Sequence, residues 1–158
     1  MTRLLLALGI ACVLAGCGPG AETSATDTVP VSAPVADSSA ARDVLLRYYA
    51  AIEARHYRSA YELWSQGGAA SGQTYGDFAA GFAHTAHTQV EFTGPVTIEG
   101  AAGSLYATVP VLVRAATTAD EPQVFVGNYE LRRVNDVPGA TPEQLRWHIH
   151  GANLEPVP

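Results

Sequence analysis

The hydrophobic positions of this chain change rhythm several times along its length. From Leu4 to Gly16 the residues form an apolar run without a charged side chain. From Gly18 to Ser38 ("GPGAETSATDTVPVSAPVADS") small, polar and proline residues follow no period. From Ser39 onward the spacing becomes helical: in "SAARDVLLRYYAAIEARHY", Val44, Tyr48 and Ile52 recur with Leu45 and Tyr49, and Ser39 is the candidate N-cap. "YRSAYELWS" continues with Tyr57, Ala60, Tyr61 and Trp64 on one side, and the glycines of "QGGAASG" stop it. A third helix is predicted from Tyr75 to about Thr85, with Thr74 and Asp77 at capping-box spacing and Phe78 and Phe82 on one face.

After His87 the period becomes two. "TQVEF" and "VTIEG" flank the breaker Gly94-Pro95, and Leu105, Ala107, Val109, Val111 and Val113 alternate through "SLYATVPVLVRAA". "QVFVGNYELRRV" and "LRWHIHGANL" follow, separated by the loop "NDVPGATPEQ". Pro110 inside a strand requires an edge, a bulge or a bend. Helices followed by antiparallel strands predict an α+β domain, its N-terminal helices packed on one face of a curved antiparallel sheet. Residues 39–158 suffice for one domain with a real core, and no internal repeat is present.

"YYAAIEARHYRSAYELWS", "YGDFAAGFAHT", "VPVLV", "GNYELRRV" and "WHIHGANL" together resemble the nuclear-transport-factor-2-like (cystatin-like) α+β cone in its small bacterial envelope form. The resemblance covers nearly all of Ser39 to Leu154. It implies three helices closing over a strongly bent sheet, often with a pocket at the wide end. Candidate pocket-lining residues are then Tyr48, Tyr49, Tyr61, Trp64, Phe82, Tyr129 and Trp147, although the same aromatic spacing also describes a core. The family includes ketosteroid isomerases, dehydratases and polyketide cyclases, so a small pocket enzyme is the alternative. No stretch matches their catalytic motifs, no catalytic residue is carried over, and no cofactor is expected.

The apolar run is far shorter than the roughly 20 residues needed to cross a bilayer, and Arg3 precedes it, as in a secretory signal. It ends in Leu14-Ala15-Gly16-Cys17, which resembles the bacterial lipoprotein lipobox. That resemblance implies cleavage between Gly16 and Cys17, a diacylglyceryl thioether on Cys17 and acylation of the new N-terminus. Residues 1–16 would be the signal peptide and residues 17–38 the lipidated cysteine and a flexible tether, whose 21 residues after Cys17 reach roughly 25 Å. Two acyl chains or more hold a protein stably, at about 0.8 kcal/mol per buried methylene. The expected location is the cell envelope, and with Gly18 rather than Asp after the cysteine it is the outer membrane if the host is a diderm.

Composition narrows the chemistry. Cys12 leaves with the signal and Cys17 is consumed by lipid, so the domain has no disulfide, thiol nucleophile or thiolate ligand. All nine basic residues are arginine, which excludes a Schiff-base lysine. Loss of Arg3 leaves eight arginines against fifteen acids, a formal charge of −7, which argues against nucleic acid as a partner. The expected partners are the membrane through Cys17 and either an envelope protein or a small apolar ligand, with a homodimer as candidate assembly. His148 and His150 share a strand face and His84 and His87 lie near a helix end, but with no thiolate a closed zinc set is not expected and no metal is assigned. Glu130 and Arg132 share another strand position pattern, with Arg146 as a candidate neighbour; they form a cross-strand ion pair or, on a concave face, polar anchors for a ligand. Asp77 reads as a helix cap before a general base.

Overall fold

The computed structural model describes the backbone of residues 33–158, with side chains from Asp37. The signal, the lipobox with Gly16 and Cys17, and most of the expected tether lie outside the described residues. Helix α1 spans Ala33–Glu53, α2 Tyr57–Glu62 and α3 Tyr75–Gly81, with a 3-10 segment at Gln66–Ser71 between the last two. Strands β1 (Thr85–Phe92), β2 (Thr97–Ala101), β3 (Ser104–Thr117), β4 (Pro122–Val134) and β5 (His148–Pro156) follow. All pair antiparallel: β1 and β2 lie end to end along one edge of β3, β4 pairs with its other edge, and β5 follows β4. The helices pack on one face of this sheet, which is the α+β arrangement expected.

Helix α1 buries Ala41, Val44, Leu45, Tyr48, Tyr49 and Ile52, a single stripe at spacings of three and four. The stripe meets Ala107, Val109, Val111 and Val113 of β3, Tyr129 and Leu131 of β4, and Ile149 of β5. Each fully buried aliphatic side chain contributes about 1.5–3 kcal/mol relative to exposure.

Several boundaries differ from expectation. Helix α1 starts at Ala33, so Ser39 lies inside it and residues 33–38 belong to the domain and not to the tether. Pro34 falls in the first turn, where a helix has no intrahelical use for the missing N–H. The end of α1 is a reversal in which Arg55 takes φ 60°, with Arg55 N–H donating to Ile52 O and His56 N–H to Ala51 O. That Schellman geometry usually carries glycine, so the break before α2 had no sequence mark. Helix α3 ends at Gly81 and β1 begins at Thr85, where the sequence suggested helix.

Pro110 occupies the junction at which β3 changes partner: Phe92 of β1 pairs with Val111, and Thr97 of β2 pairs with Thr108. Its carbonyl accepts from Thr93 N–H at 3.1 Å, so the absent N–H faces the interrupted edge and no ladder bond is lost. Gly127 permits the close approach of β4 to β5, because a Cβ there would stand 1.9 Å from the Asn153 carbonyl oxygen. Between Glu130 and Leu131 the register slips: Glu130 faces Gly151 and Leu131 faces Ile149, leaving His150 as the extra residue of a bulge.

Candidate functional site

The interior of the cone is filled by aromatic rings. Tyr48 stands at its centre, with ring centroids 5.1 Å from Tyr49, 6.2 Å from Trp64, 6.2 Å from Tyr129 and 6.4 Å from Phe78. Tyr61 packs on Phe78 at 5.3 Å, and its hydroxyl donates to Gln73 O at 2.9 Å. Gly68 makes that packing available, because a Cβ there would lie 2.0 Å from the Tyr61 ring. The hydroxyls of Tyr49 and Tyr129 are 2.7 Å apart and satisfy one another. Burial holds all three phenols, Tyr48, Tyr49 and Tyr129, well above the ordinary tyrosine value, so they stay neutral.

This placement revises the candidate pocket. Tyr48, Tyr49, Tyr61, Trp64 and Tyr129 are core side chains touching one another, and each is at most 8% exposed. Phe82 is half-buried and stacks on Tyr57 at 5.7 Å. Trp147 has one side in the core while the other lines a surface cleft of about 390 Å³.

The accessible chemistry lies at the rim, where the turn between β4 and β5 meets α1 and α2. Thr141 and Gln144 form a reciprocal capping box in that turn: Thr141 N–H donates to Gln144 Oε1 at 2.9 Å and Gln144 N–H to Thr141 Oγ1 at 3.3 Å. Val134 N–H ties the turn to β4 through Gln144 O at 2.8 Å. From α1, Asp37 accepts from Arg133 NH2 at 3.1 Å and from Trp147 Nε1 at 3.4 Å, with the Arg133 guanidinium 5.3 Å above the Trp147 ring. The pair is largely shielded, with side-chain exposures of 14% and 21%.

A second cleft of about 610 Å³ adjoins the first and is lined by Glu62, Gln66, Gly67, Arg132, Arg146 and His148 among others. Glu143 accepts from Arg146 and lies 2.8 Å from His148 Nε2, while His148 Nδ1 is 3.1 Å from Arg146 O. Nδ1–H therefore donates to the carbonyl, and the Nε2 contact with a carboxylate needs a further proton on one partner. Burial depresses His148 below the ordinary histidine value, and Arg146 and Arg47 push it further down against the pull of the Arg146 carbonyl.

The remaining candidates are dispersed. Glu130 and Arg132 lie on the sheet face away from the helices, and Arg146 pairs with Glu143 rather than with either. Arg132 instead donates to Ser104 Oγ at 2.8 Å. His87 bonds Glu53 at 2.8 Å on the opposite side of the domain, and Thr88 N–H donates to the same carboxylate at 2.7 Å. No cluster of three metal-ligating side chains occurs among the described residues. Asp77 is the cap the sequence suggested: its N–H donates to Thr74 Oγ1 at 3.2 Å and its carboxylate accepts from the same hydroxyl at 2.7 Å. The rim cleft had one legible trace, the Thr141-to-Gln144 spacing between Arg132-Arg133 and Arg146.

No protein-family model matches the sequence, and no curated protein matches it either. Solved structures do match in fold. A Novosphingobium aromaticivorans protein described as an aromatic ring hydroxylase superposes with a TM-score of 0.53 at 15% identity, over 78% of this chain and 95% of its own. A nuclear transport factor 2 (NTF2-like) superfamily protein from Salmonella enterica serovar Typhimurium gives 0.50 at 12% identity, over 76% and 92%. A Streptomyces avermitilis protein described as a dehydratase from the NTF2-like family gives 0.51 at 17% identity, over 78% and 98%. The domain of residues 33–158 thus has the nuclear-transport-factor-2-like α+β fold.

Proposed function

We propose that this chain is a lipid-anchored bacterial envelope protein whose cone-shaped domain is a non-catalytic binding module working through its rim. The observation that carries the reading is the filled interior, where Tyr49 and Tyr129 spend their hydroxyls on each other and Tyr48 occupies the centre. An enzyme of this fold needs a substrate-sized space beside its acid or base. Here the accessible polar groups surround the clefts at the rim. The lipobox Leu14-Ala15-Gly16-Cys17 supports the anchor, and Gly18 supports the outer membrane in a diderm host. A small isomerase, dehydratase or cyclase is the second reading, favoured by likeness to the proteins described as a hydroxylase and a dehydratase.

The test is native mass spectrometry on the full protein extracted from its own envelope in mild detergent, alongside Cys17→Ser. The expected mass begins at Cys17 and includes acyl chains, and the variant accumulates as uncleaved precursor. Normal processing and membrane retention of Cys17→Ser would overturn the anchor. A retained ligand protected among Tyr48, Tyr49 and Tyr129 would replace the rim module with a pocket enzyme.

A further inference from the structure

His148, the first residue of β5, has an acceptor at each ring nitrogen. Nδ1 lies 3.1 Å from Arg146 O, and Nε2 lies 2.8 Å from a Glu143 carboxylate oxygen. A neutral imidazole carries one N–H and one lone pair, so it can donate to only one of the two. With the carbonyl taking the Nδ1 proton, the Nε2 contact sets a lone pair against a carboxylate unless the pair holds one proton more. The other oxygen of that carboxylate accepts from Arg146.

The surroundings decide where the extra proton leaves. Glu143 and Arg146 face the ring from the turn, Arg47 from α1, Glu62 from α2 and Arg132 from its register position on β4. Among these, only Glu143 forms an ion pair with His148. Burial of the ring, with its side chain 20% exposed, and the guanidinium groups of Arg146 and Arg47 oppose the extra proton against the pull of the Arg146 carbonyl. The ring therefore gives it up below the ordinary histidine value, and the contact with Glu143 belongs to the acid form.

Glu143, Arg146 and His148 together line the cleft of about 610 Å³ and a smaller one of about 230 Å³ beside α2. We propose that His148 and Glu143 form a proton-dependent clasp on the wall shared by these two clefts, closed while the pair holds one extra proton and released when it leaves. In the closed state the ring and the carboxylate are spent on each other. In the released state the Nε2 lone pair and the carboxylate repel, Arg146 alone holds Glu143, and both acceptors become available to the clefts. The turn itself stays in place, because Gln144 O still accepts from Val134 N–H at 2.8 Å and Asp37 from Trp147 Nε1 at 3.4 Å. As regulation of what the rim binds, the clasp rests on the binding-module reading; as a device of the fold it is tested without any ligand.

The test is a pH titration of the detergent-solubilised full protein by NMR, from about pH 4 to about pH 8, reading the His148 ring nitrogens and the backbone amides of residues 143–147. The amides are expected to shift with the same midpoint as the ring, below the ordinary histidine value, with Nδ1 keeping its proton on the alkaline side. Glu143→Gln removes the charge and keeps an acceptor, and it should lower the ring midpoint by about half a pH unit. His148→Gln should abolish the amide shift over that range. An unchanged signal from the indole of Trp64, which is buried in the core, establishes that both variants are folded. A ring that titrates without moving the amides, or an unchanged midpoint in Glu143→Gln, would overturn the clasp. Either failure leaves the rim module standing, whereas an interior ligand found by native mass spectrometry would remove the regulated site and leave the titration as it is.

Discussion

The interior and the rim are built from opposite materials. Inside, polar atoms are few, and the Tyr49 and Tyr129 hydroxyls bond each other at 2.7 Å. At the rim, charged side chains crowd around clefts and several are still exposed, Arg146 at 66% and Glu143 at 60%. The interior therefore carries stability while the rim can change without unfolding the domain, so function has freedom to sit at the rim.

Mutation separates the two directly. Tyr48→Ala should cost about 3–5 kcal/mol, because its ring contacts Tyr49, Trp64, Phe78 and Tyr129 and the space left is enclosed; urea denaturation measures it. A cost below 1 kcal/mol would mean a loose interior, roughly what an unfilled pocket gives. Asp37→Ala should cost about 2 kcal/mol by leaving Arg133 half-buried without its partner, and a chain beginning at Ser39 should lose as much; equal stability of that chain would detach residues 33–38 from the domain. Tyr129→Phe should cost about 1 kcal/mol by orphaning the Tyr49 hydroxyl, and adding Tyr49→Phe should restore most of it in a double-mutant cycle.

Smaller effects belong to the surface. The Glu53 carboxyl is held below the ordinary range by hydrogen bonds from His87 and from Thr88 N–H. Its stabilising contribution is therefore present above the usual carboxylate value and lost as the pH falls through the depressed one. Glu53→Gln should flatten the acid limb of the stability–pH curve below about pH 4.5; an unchanged limb would show that the bridge contributes nothing. Arg146→Ala should shift stability by under about 0.5 kcal/mol, since its pair with Glu143 is exposed.

The sequence was most legible where one local rule sufficed. The stripe of Val44, Leu45, Tyr48, Tyr49 and Ile52, the alternation from Ala107 to Val113, and the Thr74 cap all lie where spacing placed them. Legibility failed where a residue acted against its habits. Arg55 takes the left-handed conformation that usually marks glycine, and α1 extends back through polar residues because Asp37 finds Arg133, 96 positions away. The aromatic spacing was equally compatible with a pocket and a core, and only the convergence of Trp64, Phe78 of α3 and Tyr129 of β4 on Tyr48 decides for the core. Apart from the Thr141-to-Gln144 spacing, the rim cleft was hidden because Arg132 and His148 meet through strand pairing and Glu62 reaches the same cleft from the end of α2, with no sequence interval joining them.

The short segment from Leu63 to Ser65, bonded to Ile149 along the outer side of β5, has one more effect. A sheet's last strand ordinarily offers unpaired N–H and C=O groups to any neighbouring molecule. Here the first part of that border is already occupied by the protein's own backbone, and Pro156 at the other end of β5 has no N–H to give. Molecules crowded side by side are thereby discouraged from zipping together into intermolecular sheets along this border.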